Sequence, residues 1–131
     1  MRRRILKTRT FARWCRRVGL PDRTLCVAVE EIVAGLVDAD LGGNVLKKRV
    51  PLPGRGKSGG ARVLIATRMG ERWFFLYGFA ENEGSAIDDR ELAVLQMTAE
   101  ALLELDLPSL GRALRAGELT EICDEEEPHT G

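Results

Sequence analysis

The sequence predicts an α+β fold: a small antiparallel-type sheet, an N-terminal helical hairpin packed on it, and further helices toward the C-terminus. Three observations carry this. Two amphipathic helical stretches follow each other before Gly42-Gly43, with only a short link from Gly19 to Pro21. Two apolar runs, residues 61–68 and 73–79, flank the tight-turn sequence Met69-Gly70-Glu71, which is the pattern of a hairpin. A further helical stripe follows the capping pair Asp88-Asp89. The 131 residues suit one domain, and an apolar fraction of 44% is enough to bury a core. That domain is expected over residues 1–123, with 124–131 as an acidic, unstructured tail.

Each element has its own signal. Residues 4–8 read as a short strand. Thr10 is a cap candidate for a helix in which Phe11, Trp14, Cys15 and Val18 fall at i, i+3, i+4 and i+7. Gly19 stops it, and Pro21 suits the first turn of a second helix whose buried face is Leu25, Val29, Ile32, Val33 and Leu36. Residues 44–50 form a second strand. The strand at 61–68 is apolar on both parities through Val63, Leu64, Ile65 and Ala66, as a central strand is. In the returning strand, alternation places Trp73, Phe75, Tyr77 and Phe79 on one face, with Phe74 and Leu76 on the other. The helical stripe after Asp88 is Leu92, Leu95, Ala99, Leu102 and Leu103; Pro108 opens a fourth helix that Gly117 ends, and residues 118–123 read as a last strand.

The formal net charge of zero hides a strong division. Residues 1–72 hold 17 Lys and Arg against 6 Asp and Glu, whereas residues 73–131 hold 3 against 14. A first half this basic points to a polyanion, the plainer alternative being an acidic C-terminal helix docked on a basic face. The charge peaks in Lys47-Lys48-Arg49-Val50-Pro51-Leu52-Pro53-Gly54-Arg55-Gly56-Lys57-Ser58-Gly59-Gly60, which has five cations and no acid. Lys47, Lys48, Arg49 and Arg55 are candidates for phosphate contacts. Arg55-Gly56-Lys57-Ser58 imitates the end of a nucleotide-binding P-loop, but Pro51 occupies the required first glycine and a strand follows instead of a helix.

Arg62, at the start of an apolar strand, must be paired or face a polar groove. If Lys57 and Arg62 converge, they can clamp a phosphodiester and stabilise the added negative charge of its transition state, with the RNA 2′-OH as nucleophile. The alternative for Arg62 is a structural ion pair with an acid of the C-terminal half. Trp73, Tyr77 and Phe79 are read as core beneath the helices, the other reading being a base-stacking face.

Cys15, Cys26 and Cys123 are odd in number and lack a C-x-x-C spacing, so neither a disulfide framework nor a zinc site is expected, and a reducing cytosol fits. His129 lies in the acidic tail and is given no metal role. Met1-Arg2-Arg3-Arg4 is not followed by an apolar stretch, so no secretory signal is expected, and no run is long enough to span a bilayer.

Three phrases together resemble the RelE/HigB-like toxins of type II toxin–antitoxin modules, within the RelE/ParE superfamily. They are Lys47-Lys48-Arg49-Val50, Gly56-Lys57-Ser58-Gly59-Gly60-Ala61-Arg62, and Trp73-Phe74-Phe75-Leu76-Tyr77-Gly78-Phe79-Ala80-Glu81-Asn82-Glu83, in the order strand, two helices, three strands. The resemblance implies a cytoplasmic, ribosome-dependent mRNA endoribonuclease that inhibits translation without metal or cofactor. It also implies a helix-turn-helix antitoxin as partner, alongside ribosome and mRNA. By position, Lys57 and Arg62 match the family's phosphate-stabilising residues, and Lys47, Lys48 and Arg49 its RNA-facing strand edge. The family's usual F-A-K-N-E-R is Phe79-Ala80-Glu81-Asn82-Glu83-Gly84 here, and the only tyrosine is Tyr77 rather than one near the C-terminus. Two alternatives therefore stand beside the nuclease: a ParE-like DNA gyrase inhibitor, and a catalytically degenerate toxin kept for antitoxin binding and operon regulation. Oligomeric state, codon preference and the antitoxin's identity are left open.

Overall fold

A computed structural model describes residues 3–54, 60–80 and 87–123. The acidic tail and the loop residues Arg55 and Lys57 lie outside these, as do Glu81 and Gly84. The elements run β1 (Arg4–Thr8), α1 (Arg9–Val18), α2 (Asp22–Val33), β2 (Ala39–Asp40), β3 (Val45–Val50), β4 (Ala61–Thr67), β5 (Arg72–Ala80), α3 (Asp89–Leu103), α4 (Leu107–Arg115) and β6 (Leu119–Ile122). They form the expected α+β architecture. The six strands make one sheet in the order β2-β3-β4-β5-β1-β6. All pairings are antiparallel except β1 with β5. The N-terminal strand thus closes the gap between the hairpin and the last strand.

The sheet is covered on both faces. On the first, α1 and α2 bring Phe11, Trp14, Leu25, Val29 and Ile32 against Val63, Ile65, Trp73 and Phe75. On the second, α3 and α4 bring Ala99, Leu103 and Leu110 against Leu6, Val45, Leu64, Phe74 and Leu76. Completely burying side chains of this size contributes roughly 1.5–3 kcal/mol each. Both faces of β4 are therefore dry from Val63 to Ala66, as that apolar run requires.

The ends of the helices follow local chemistry. Thr8, not Thr10, caps α1: its hydroxyl accepts from the Phe11 N–H at 3.2 Å, because the helix starts directly where β1 stops. Gly19 ends α1 in the left-handed region at φ 75°, where a side chain would be strained. Asp88 and Glu91 form a reciprocal capping box on α3. Asp106 caps α4 by accepting from the Ser109 N–H, and these hydrogen bonds hold its carboxyl below the usual range. Two expected core residues are outside. Val33 is 45% and Leu36 59% exposed, because α2 ends at Val33 and the chain turns away from the sheet at Gly35.

The cysteine expectation is corrected. Cys26 and Cys123 form a disulfide with Cα atoms 5.7 Å apart, joining α2 to the residue after β6 across a separation of 97. An odd count cannot exclude a bond between two cysteines that the fold brings together. Cys15 is the free, buried third, and burial pushes its thiol up to about 11.

Candidate functional site

One irregularity in β5 creates the candidate site. Leu64 pairs with Tyr77, but the next residue, Ile65, pairs with Phe75, so Leu76 is an extra residue on β5. Such a bulge reverses the alternation beyond it. Trp73 and Phe75 point into the α1–α2 core as expected, but Tyr77 and Phe79 do not join them. Gly78 takes that inward position instead, and a Cβ there would lie 2.4 Å from a Trp14 ring carbon. Tyr77 and Phe79 move to the opposite face, where their rings are 6.3 Å apart. Tyr77 is 38% exposed.

On that second face, α3 and α4 cover only the half built on Leu6, Val45, Leu64, Ala66, Phe74 and Leu76. A tight approach fixes where α3 lies: a Cβ on Gly43 would come within 2.7 Å of the Gln96 side chain, whose amide donates to the Leu41 carbonyl. Beyond that half, register places Arg49 opposite Arg62 and Arg62 opposite Phe79. The row Lys47, Leu64 and Tyr77, whose Leu64 is buried under the helices, forms the border between the two halves. Adjacent strands are about 4.8 Å apart. Two guanidinium groups directly opposite each other oppose folding unless negative charge is supplied. Asp38 supplies some: its carboxylate lies 3.4 Å from Arg62 Nε, each side chain a little over a quarter exposed. Asp38 belongs to the N-terminal half, whereas the structural alternative named an acid of the C-terminal half; Arg62 also has an interaction beyond the Asp38 pair.

The predicted site residues are thus divided. Lys47, Arg49 and Arg62 share one face. Lys48 alternates to the other, where it is buried and its ammonium meets Glu31 of α2 at 2.9 Å. Arg55 and Lys57 lie outside the described residues; Gly60, where the described chain resumes, is pressed so close to the Val50 carbonyl that a Cβ would sit 2.9 Å from it. Tyr77 and Phe79 are the residues that alternation alone misassigned. The signal that finds them is Gly78, since glycine within a strand marks a bulge or a close backbone approach. Among the described residues, no group of three or more His, Cys, Asp or Glu side chains could hold a metal ion, and no helix is long and apolar enough to cross a membrane.

Cations and aromatic rings at alternating positions on a stretch of sheet that no described helix covers suit a single-stranded polyanion with stackable bases. The chain matches the family model described as the RelE toxin of the RelE/RelB toxin–antitoxin system, over residues 3–122. It belongs to the RelE toxin family. No curated protein matches it. A RelE-family chain is the toxin of a toxin–antitoxin pair, so a cognate antitoxin is its partner. In this RelE-family toxin, none of the described helices lies over the Arg49–Arg62–Phe79 row, which follows the bulge in β5.

Proposed function

We propose that this toxin is a ribosome-dependent mRNA endoribonuclease of the cytoplasm that cuts without a metal, and that the open half of the second sheet face holds the RNA. The observation that supports it most is the Arg49–Arg62–Phe79 row beside Tyr77. In the cleavage step the 2′-OH loses its proton and its oxygen bonds to phosphorus. The P–O5′ bond then breaks, leaving a 2′,3′-cyclic phosphate and a protonated 5′-OH; no water is consumed. Arg62 stabilises the doubly charged phosphorane, a role whose removal typically costs about 10²–10³ in rate. Lys57, three residues before Gly60 in the chain, adds positive charge and assists proton transfer. Lys47, Arg49 and Arg55 hold flanking phosphates, and Tyr77 and Phe79 stack bases. Lys48, tied to Glu31, orients α2 against the sheet.

The test is induced expression followed by mapping of mRNA 5′ ends, comparing wild type with Lys57→Ala and Arg62→Ala. New 5′ ends in wild type that disappear in both variants support the assignment. Intact mRNA with chromosomal double-strand breaks would point to gyrase poisoning. Unimpaired growth without antitoxin would point to a toxin retained for regulation.

A further inference from the structure

A second cationic feature adjoins the open face at a different element. Beyond Phe75, β5 has no β1 partner, because that register ends at Lys7 opposite Phe75. At this edge, unpaired among the described strands, a cavity of about 220 Å³ opens between β5 and α1, lined by Thr10, Arg13, Trp14, Arg17, Tyr77 and Gly78 among others. Drug-sized sites measure roughly 300–1,000 Å³, so this one suits a single phosphate or base. Arg13 and Arg17 are both exposed and stand i, i+4 on α1, so their guanidinium groups share one wall. Neither makes an ion pair or hydrogen bond among the described residues, unlike Arg9, which donates to the Ala116 and Gly117 carbonyls. The absence of a side chain at Gly78 lets the Trp14 ring lie against the strand and line the cavity.

We infer that this cavity is a subsite for a nucleotide flanking the cut linkage: Arg13 and Arg17 take a phosphate, and the single strand crosses Tyr77 between cavity and sheet face. Tyr77 belongs to both surfaces, lining the cavity and lying in the row with Lys47 and Leu64. The occupant is single-stranded RNA, because the cavity is too small for a duplex and combines aromatic carbon with unpaired guanidinium groups. The inference rests on the proposed nuclease reading for its ligand class, but it concerns binding rather than cleavage.

The experiment titrates the full-length protein with a short, 2′-O-methylated single-stranded RNA, which cannot be cut, over a range of salt. It compares Arg13→Ala/Arg17→Ala with Arg16→Ala/Arg23→Ala, a control that removes the same charge from exposed positions outside the cavity. Loss of two phosphate contacts lowers the slope of log affinity on log salt by about 1.4 and weakens binding roughly tenfold, while the control stays within about twofold of wild type. All four residues are exposed, and unchanged thermal midpoints verify that each variant folds. Equal losses in both pairs, or none in either, overturn the subsite. So does a cavity variant that keeps single-strand binding but loses affinity for duplex RNA. If wild type itself does not bind the strand, the subsite and the nuclease reading fall together. A subsite-dependent slope in a protein that never cleaves mRNA would remove only the nuclease.

Discussion

The two halves of the second sheet face are built from the same three strands and do opposite work. One half, with Val45, Ala66 and Phe74 across β3, β4 and β5, lies dry beneath α3 and α4. The other, with Arg49, Arg62 and Phe79, has no helix over it in the described structure. A single extra residue, Leu76, marks the border. Up to and including it, β5 sends Phe74 and Leu76 into the helices; beyond it, Tyr77 is delivered to the surface. The comparison shows how a small fold can divide one strand between two environments: the covered half supplies burial, and the bulge turns Tyr77 toward solvent on the face where the proposed RNA would lie.

That division can be tested for stability first. Phe74→Ala should destabilise the protein by about 3–5 kcal/mol, whereas Tyr77→Ala should stay within roughly 1 kcal/mol of wild type, as urea unfolding would measure. Equal losses would mean the open half is structural after all. Reduction of Cys26–Cys123 should remove about 2–4 kcal/mol, seen as a lower thermal midpoint in the presence of a phosphine, and leave RNA affinity unchanged because the bond lies on the α2 side. Gly78→Ala should cost about 1–3 kcal/mol by forcing Trp14 off the strand, and should also perturb Tyr77 next to it.

The smallest effect concerns pH and the buried Cys15. Burial holds its folded pKa at about 11, above that of the unfolded thiol, so the native state keeps a proton that the unfolded chain releases. Its contribution is complete below the unfolded pKa and is lost as pH rises toward 11. Native protein should therefore resist alkylation at Cys15 near neutral pH and react on unfolding, which mass spectrometry of the labelled peptide would show.

Much of this was legible from the chain. Helical periodicity found α1 to α3, Pro108 and Gly117 bracketed α4, and the apolar runs around Met69-Gly70-Glu71 gave the central hairpin, because those signals are local. Strict alternation failed at Tyr77 and Phe79, because a bulge is a tertiary compromise that leaves only an interior glycine as its trace. Alternation applied to Lys47-Lys48-Arg49 would have divided the three, since consecutive strand residues face opposite ways. The short β2 has too few residues for a pattern, and its place depends on pairing with β3. The disulfide depends on proximity across 97 residues, which spacing does not encode. The Arg62–Asp38 pair is likewise set by the β2–β3–β4 register and not by any motif.

The most direct measurement of where RNA lies is backbone-amide NMR during titration with the uncleavable 2′-O-methylated strand. Shifts should concentrate at Lys47, Arg49, Arg62, Tyr77 and Phe79, with Phe74, Leu103 and the α2 amides nearly still. Shifts confined to α2, or to the helices over the covered half, with Arg62 and Tyr77 silent, would contradict the assignment of the open half as the RNA face.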